Sequence, residues 1–344
     1  MSDPAITLAV VGATGTVGRT VLEVLDDLDV PLRALRPFAS PRSAGTTLSF
    51  RGDDVRVEGL REGAFRGCDV AIFCAGPDVA REWAPRAWAE GCAVVDDSPA
   101  FRGEADVPLV VPEVNADALA GLRARGIVAN PSSNVTALAL ALAPLRAVAG
   151  LRRVVVATYQ SVSGAGQRGV EELEKQARDL LNLREPDPAA RFPHRIAFNV
   201  IPQVGAFAEG GATEEEEKLG RDTRKVLGDP DLRVAATAVR VPVFFGHSLA
   251  VNVEARGPLS ADAAREALRK APGVKLVDDP AERVYPMPML VAHDDGVLAG
   301  RVRADPSVEH GVSLFLSIEN TRKGAATNAV QIARLIAERH LGGR

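Results

Sequence analysis

The stretch "AITLAVVGATGTVGRTVLEVLDDL", residues 5–28, constrains the fold more than any other part of the chain. An apolar strand-like run leads directly into Gly12, Gly15 and Gly18, and apolar residues then recur at helical spacing. Glycines at that spacing permit a tight turn and a close approach of the backbone. The free N–H groups at the start of the following helix then face an anion. Gly12, Thr14, Gly15, Thr16, Val17 and Gly18 are therefore candidate contacts to the pyrophosphate of a dinucleotide.

The rest of the first third alternates in the same manner. "PLRALRPFA", "VAIFCAG", "CAVVDDSPA", "PLVVPEVN" and "GIVANP" read as strands, and "VAREWAPRAWAEG" as a helix between two of them. This pattern predicts an α/β fold with a Rossmann-type, doubly wound parallel sheet. After about residue 150 the character changes. "RRVVVATYQSVSG" is strand-like and "QRGVEELEKQARDLLN" is an amphipathic helix, followed by a Pro-rich loop. The later strands, in "RVAATAVRVPVFFGHSLAVNVEA" and "VSLFLSIEN", alternate better and suit an antiparallel or mixed sheet covered on one face. "KGAATNAVQIARLIAERHL" closes the chain as a helix. At 344 residues, two domains are expected. Residues 1–133 and 320–344 form the nucleotide domain, and 134–319 form an α+β catalytic and dimerisation domain.

An NAD site usually has Asp or Glu near the end of its second strand to hold the ribose 2′-hydroxyl. Here that region reads "LRALRPFASPRSAG", without a carboxylate. Ser40, Arg42 and Ser43 cluster there instead. A guanidinium with two hydroxyls suits a 2′-phosphate, which points to NADP. A polar surface loop is the plain alternative.

Composition excludes several classes. The net charge is −4 and no block of Lys or Arg reads as a nucleic-acid footprint. No apolar run reaches the length of a membrane span, and the start "MSDPAITLAVVGATG" lacks the basic region and cleavage site of a signal peptide. Cys68, Cys74 and Cys92 and the five histidines show no metal-ligand spacing, so no metal is expected. Reduced thiols in a cytoplasmic protein fit best.

Taken in order, "VVGATGTVG", "ASPRSAG", "YQSVSGAG", "RVPVFFGHS" and "NTRKGAATNAVQIA" resemble the aspartate-semialdehyde dehydrogenase family over nearly the whole chain. The resemblance implies NADPH-dependent reductive dephosphorylation of L-aspartyl 4-phosphate to the semialdehyde, and a homodimer or homotetramer. It implies that Arg102 holds the phosphate and that Gln160 orients the substrate. Ser163 and Gly164 would lie beside the nicotinamide. Glu215 and Lys218 would bind the substrate amine and the phosphate. Arg240 would grip the α-carboxylate, His247 would act as acid/base, and Asn320 would contact the cofactor. Each has a bland counterpart: Glu215 and Lys218, for example, are also spaced as an exposed helix pair.

The family's nucleophile segment reads N-P-N-C-S/T. Here it is Asn130, Pro131, Ser132, Ser133, Asn134, which puts Ser133 in the cysteine slot. Asp97 replaces the asparagine of the family's D-N-S, adding a group able to carry negative charge close to a site that must accept phosphate. Cys74 is the nearest substitute thiol and reads better as a small buried residue. Two readings of Ser133 stand. It is a nucleophile activated by His247 as general base, or it is the N-cap of the helix in "TALALALAPL". The functional expectation is a family member of reduced activity. The alternative is a non-catalytic NADP-binding paralogue acting as regulator or partner subunit.

Overall fold

A computed structural model of the chain describes residues 5–341. These form two compact units, residues 5–132 with 324–341, and residues 133–323. Ser133 and Asn320 both fall in the second unit.

In the first unit the opening strand β1 (Ile6–Val11) is buried at every position. Its side chains have no solvent face because β1 lies inside a parallel sheet, the setting in which continuous apolar runs are stable. Helix α1 (Thr16–Asp27) follows and buries Gly18, Val21, Leu22, Val24 and Leu25, one helical stripe. Strand β2 (Leu32–Ala39) pairs parallel with β1. A small antiparallel hairpin, β3 (Thr47–Phe50) and β4 (Asp53–Arg56), follows, and then β5 (Glu58–Gly59). Strand β6 (Val70–Phe73), helix α2 (Pro77–Ala89) and strand β7 (Ala93–Asp96) continue the alternation. Short helices α3 (Pro112–Asn115) and α4 (Leu122–Arg125) precede β8 (Ile127–Ala129). The six-stranded sheet has the order β5-β2-β1-β6-β7-β8, with every pair parallel. The strand order reverses between β1 and β6, so the carboxyl end of β1 lies at the topological switch point where such sheets bind ligands. The C-terminal helix (Thr327–Ile336) packs on β6 and β7 within this unit.

One strand expectation fails here. "PLVVPEVN" is not a strand: only Leu109 makes an isolated bridge, to Ala129, and Pro112 starts a helical turn. Proline fits the first turn of a helix, where its missing N–H is not needed, and the apolar run before it is buried without being a full strand.

The second unit begins with α5 (Ser133–Ala149), whose residues 134–142 are all buried. Strand β9 (Leu151–Gln160), helix α6 (Gln167–Leu181), helix α7 (Glu214–Leu227) and strands β10 (Arg233–Arg240) and β11 (His247–Ala255) follow. Helix α8 (Ala261–Lys270) and strands β12 (Val274–Leu276), β13 (Val297–Ala304) and β14 (Gly311–Ile318) complete it. The sheet is mixed, in the order β10-β9-β11-β14-β13-β12. Helix α5 packs on β9, β11, β13 and β14, and touches α7 and α8. Its enclosure explains its nearly uniform Ala/Leu composition. The fold class is the one expected: a doubly wound parallel sheet plus an α+β unit with a mixed sheet.

Candidate active site

The glycine loop of the first unit has the geometry its sequence demands. Gly12 has φ +88°, a conformation that side chains disfavour, and a Cβ there would meet the Cys74 carbonyl oxygen at 2.8 Å. A Cβ on Gly18 would lie 2.2 Å from the Gly12 oxygen, so α1 and the loop could not approach as they do. Gly12 and Ala13 donate to the Phe38 carbonyl, locking the loop to the end of β2. Helix α1 starts after Gly15 with no side-chain cap, and its first turn holds no acidic residue. The N–H groups of Thr16, Val17 and Gly18 head the helix, where an anion is favoured.

At the end of β2, Ser40 and Arg42 are exposed and Ser43 is half-buried. The Ser43 N–H donates to the Ser40 carbonyl at 2.9 Å, folding this segment into a turn. Arg42 has no ion pair among the described residues. Glu58 on the neighbouring strand is held by Arg36 at 3.0 Å.

The Asn-Pro frame before Ser133 is structural. Asn130 is fully buried; its amide donates to Asp97 Oδ1 at 2.7 Å and to the Ala325 carbonyl at 3.0 Å. Asn328 donates to Asn130 Oδ1 at 2.7 Å. Arg102 donates from Nε to the Asn130 carbonyl at 2.7 Å and also to the Asp97 carbonyl. Burial pushes the Asp97 carboxyl up to about 7, against the lowering effects of Arg102 and the Asn130 bond, so it is not a fixed charge at neutral pH. Burial also raises Asp96 to about 6, although Ser98 donates to it twice. Burial, then Asp97 and Asp96, push the Cys74 thiol well up, which removes it as a nucleophile.

Most of the remaining candidates meet in the second unit. Helix α7 is started by a capping box: the Thr213 hydroxyl accepts from the Glu216 N–H, and the Glu216 carboxylate accepts from the Thr213 N–H at 2.7 Å. The box fixes the first turn, and with it Glu215. Glu215 Oε1 accepts from Gln160 Nε2 at 3.2 Å and from Asn134 Nδ2 at 3.3 Å. Lys218 turns to Glu214 instead, at 3.8 Å, as an ordinary i,i+4 pair. Asn134 is 1% exposed and its Oδ1 has no partner.

Arg240 ends β10, where the Ile201 bridge and the β9 ladder hold its backbone. It is 7% exposed, and Nη1 donates to the Ser161 carbonyl at 2.7 Å. Burial lowers its guanidinium to about 10; Glu215 opposes this and Arg191 adds to it. No carboxylate pairs with it among the described residues. His247 starts β11 and is 3% exposed. Its Nδ1 accepts from the Ser161 N–H at 3.2 Å and lies 3.0 Å from the Ser161 hydroxyl. Burial and then Arg240 lower its pKa to about 3, so the ring is neutral at physiological pH. With Nδ1 accepting, the ring proton sits on Nε2. A Cβ on Gly164 would meet Arg240 Nη1 at 2.8 Å and His247 Nε2 at 3.0 Å, so the glycine is what lets both groups reach this segment.

Asn320 ties the floor together. Its Oδ1 accepts from Ser161 (3.2 Å), Ser163 (3.1 Å) and the Gly246 N–H (3.0 Å). Ser163 is 6% exposed. Ser161 and Asn134 were missed by sequence reasoning. Ser161 was legible only as a neighbour of Gln160 in "YQSVSG", and Asn134 only as a departure from the family pattern. Ser133 itself is the first helical residue of α5 rather than the residue before it, and it is half-buried. Its hydroxyl makes no hydrogen bond among the described residues. No group of three or more His, Cys, Asp or Glu that could hold a metal occurs among the described residues.

A family model for the semialdehyde dehydrogenase NAD binding domain matches residues 7–122, and one for the semialdehyde dehydrogenase dimerisation domain matches residues 142–323. The chain belongs to the aspartate-semialdehyde dehydrogenase family. An aspartate-semialdehyde dehydrogenase of Aquifex aeolicus is 45% identical over 97% of this chain and 98% of its own. The crystal structure of aspartate semialdehyde dehydrogenase II complexed with ASA from Vibrio cholerae has a TM-score of 0.95 at 42% identity, covering 98% of this chain and 99% of that one. An aspartate semialdehyde dehydrogenase with NADP from Candida albicans has a TM-score of 0.76 at 25% identity, covering 97% and 98%. No helix among the described residues is long and apolar enough to cross a membrane.

Proposed function

We propose that the chain binds NADP(H) and an aspartyl-type substrate, and that it reduces the acyl phosphate to the semialdehyde slowly because Ser133 stands in the nucleophile slot. One observation carries the substrate half: a buried, unpaired Arg240, a neutral His247 with its proton on Nε2, and Gly164 in contact range of both. A buried guanidinium without a direct ion pair is costly, and a ligand anion relieves that cost. Glu215 offers a carboxylate to an ammonium, already oriented by Gln160 and Asn134. By resemblance, Arg102 is a phosphate contact, and Lys218 would have to leave Glu214 to be one. The cofactor half rests on Gly12, Gly15 and Gly18, the uncapped start of α1, and the unpaired Arg42.

NADPH, when bound, supplies the hydride. The work left to the protein is acyl transfer. Ser133 Oγ attacks the acyl carbon, the C–O bond to phosphate breaks, and the hydroxyl proton must go to a base. His247 is a poor acceptor, because Nδ1 is already engaged and its basicity is low. Its Nε2–H is suited to donate to a developing oxyanion. A serine therefore attacks here with little help, whereas a cysteine at a helix N-terminus ionises readily.

Two copies pair through the face of the mixed sheet that α5 does not cover. Val155, Ala157, Tyr159, Ala250 and Phe315 are partly exposed there, and the Tyr159 and Phe315 rings lie 6.1 Å apart. The dimerisation-domain match supports this assembly. The unaided serine also favours a second reading, a binding paralogue without turnover.

The test is phosphate-dependent NADPH formation from aspartate semialdehyde at pH 8, for wild type and Ser133→Cys. General-base help is worth about 10²–10⁴-fold, so wild type should run several decades below the cysteine variant. Wild-type turnover near the ~10 s⁻¹ of a median enzyme would make Ser133 a competent nucleophile. No turnover in either protein would leave the binding-paralogue reading.

A further inference from the structure

Arg191 lies in the loop after α6, far in sequence from the motifs that carry the family resemblance. Its backbone N–H donates to Glu172 Oε2 at 2.6 Å, and its Nε donates to the Ala165 carbonyl at 3.1 Å. Glu172 is itself fixed by Gln176, whose Nε2 donates to it at 3.1 Å. Gln176 is 3% exposed and its Oε1 accepts from the N–H groups of Ile196 and Ala197. The loop that carries Arg191 is thus pinned to α6 on both sides of the residue.

This anchoring brings Arg191 to the segment that Arg240 touches. Arg191 bonds the carbonyl of Ala165, while Arg240 Nη1 lies against the neighbouring Gly164. Phe192, next in the chain, has its ring centroid 6.0 Å from the Arg240 guanidinium carbon. Neither arginine forms an ion pair among the described residues. Two guanidinium groups on one short segment repel each other, and the field of Arg191 reaches Arg240. An oxyanion between them turns that repulsion into two attractions.

We propose that Arg191 and Arg240 together form a two-guanidinium site for a small oxyanion, with Arg240 the buried member and Arg191 the exposed member that admits or releases the ligand. The anion is a carboxylate of the amino-acid substrate or free phosphate. The proposal rests on the substrate reading above and adds Arg191 to it. Arg191 also borders a surface cavity of about 550 Å³ with Glu171, Glu172 and Asp187; its backbone N–H holds Glu172, and its guanidinium forms an ion pair with none of these carboxylates among the described residues.

The test is calorimetry of full-length wild type, Arg191→Gln and Arg191→Lys with L-aspartate and with inorganic phosphate, alongside NADP as control. Losing one charge-assisted contact at an exposed residue should raise Kd about tenfold for the anion that occupies the site. Arg191→Lys should recover most of that loss, and the NADP Kd should not change. Which probe weakens identifies the source of the anion. Unchanged Kd values for both probes in Arg191→Gln overturn this site and leave the substrate reading intact. Equal weakening of NADP overturns it too, because the effect would then be on folding. Wild type that binds neither probe overturns the substrate reading and this site together.

Discussion

The Nδ1 atom of His247 accepts a hydrogen bond from the backbone N–H of Ser161 at 3.2 Å. A backbone amide can only donate, so this bond selects the tautomer with its proton on Nε2. Nitrogen NMR should therefore show a neutral ring with protonated Nε2 from pH 8 down to pH 5. The direction of linkage follows. An ordinary unfolded histidine binds a proton below about 6.5, while folded His247 resists until about 3. Over that window the unfolded state binds more protons, so this group's contribution to stability is present above the window and is lost as pH falls through it. An imidazolium signal from His247 at pH 6 would contradict the assignment.

Gly164 should tolerate no side chain. An alanine Cβ would sit 2.8 Å from Arg240 Nη1 and 3.0 Å from His247 Nε2. Because both atoms belong to buried side chains, relief requires displacing one of them. Gly164→Ala should lower stability by about 1–3 kcal/mol, the range for overpacking, and abolish anion binding measured by calorimetry. Wild-type affinity in the variant would show that Arg240 and His247 are free to move.

Asp97→Asn should stabilise the protein at pH 8. The folded carboxyl is raised to about 7, against an ordinary value near 3.8, so the folded state binds more protons between those values. Stability from this group is therefore present at low pH and is lost as pH rises through that window. An asparagine keeps the acceptor for the Asn130 amide and has no charge to desolvate. The gain should be on the order of 1–3 kcal/mol at pH 8 and vanish near pH 4. Thermal melts at the two pH values measure it; a variant no more stable than wild type at pH 8 would mean that Asp97 ionises without cost.

Arg42→Ala should weaken NADP binding by about 1.5–3 kcal/mol, the scale of a charge-assisted hydrogen bond. NAD, which lacks the 2′-phosphate, should bind both proteins alike. Equal NAD and NADP affinities in wild type would remove the 2′-phosphate assignment.

The sequence by itself determined the parts governed by local rules. The strand–glycine–helix run of residues 5–28 is legible because φ freedom and helical periodicity are properties of neighbouring residues. The mixed sheet of the second unit is legible for the same reason, since alternation marks a strand with one covered face. Local rules also mislead: the apolar run before Pro112 reads as a strand, but its burial comes from the surrounding fold and not from a ladder. The state of the site was decided only by tertiary structure. Ser161 and Asn320 meet across 159 positions, Ser161 and His247 across 86, and Arg240 and Ser161 across 79. The raised carboxyl of Asp97, the tautomer of His247 and the lack of a direct ion pair at Arg240 among the described residues follow from what surrounds them in space. Desolvation and Coulomb forces act through distance in space, and sequence separation does not record that distance.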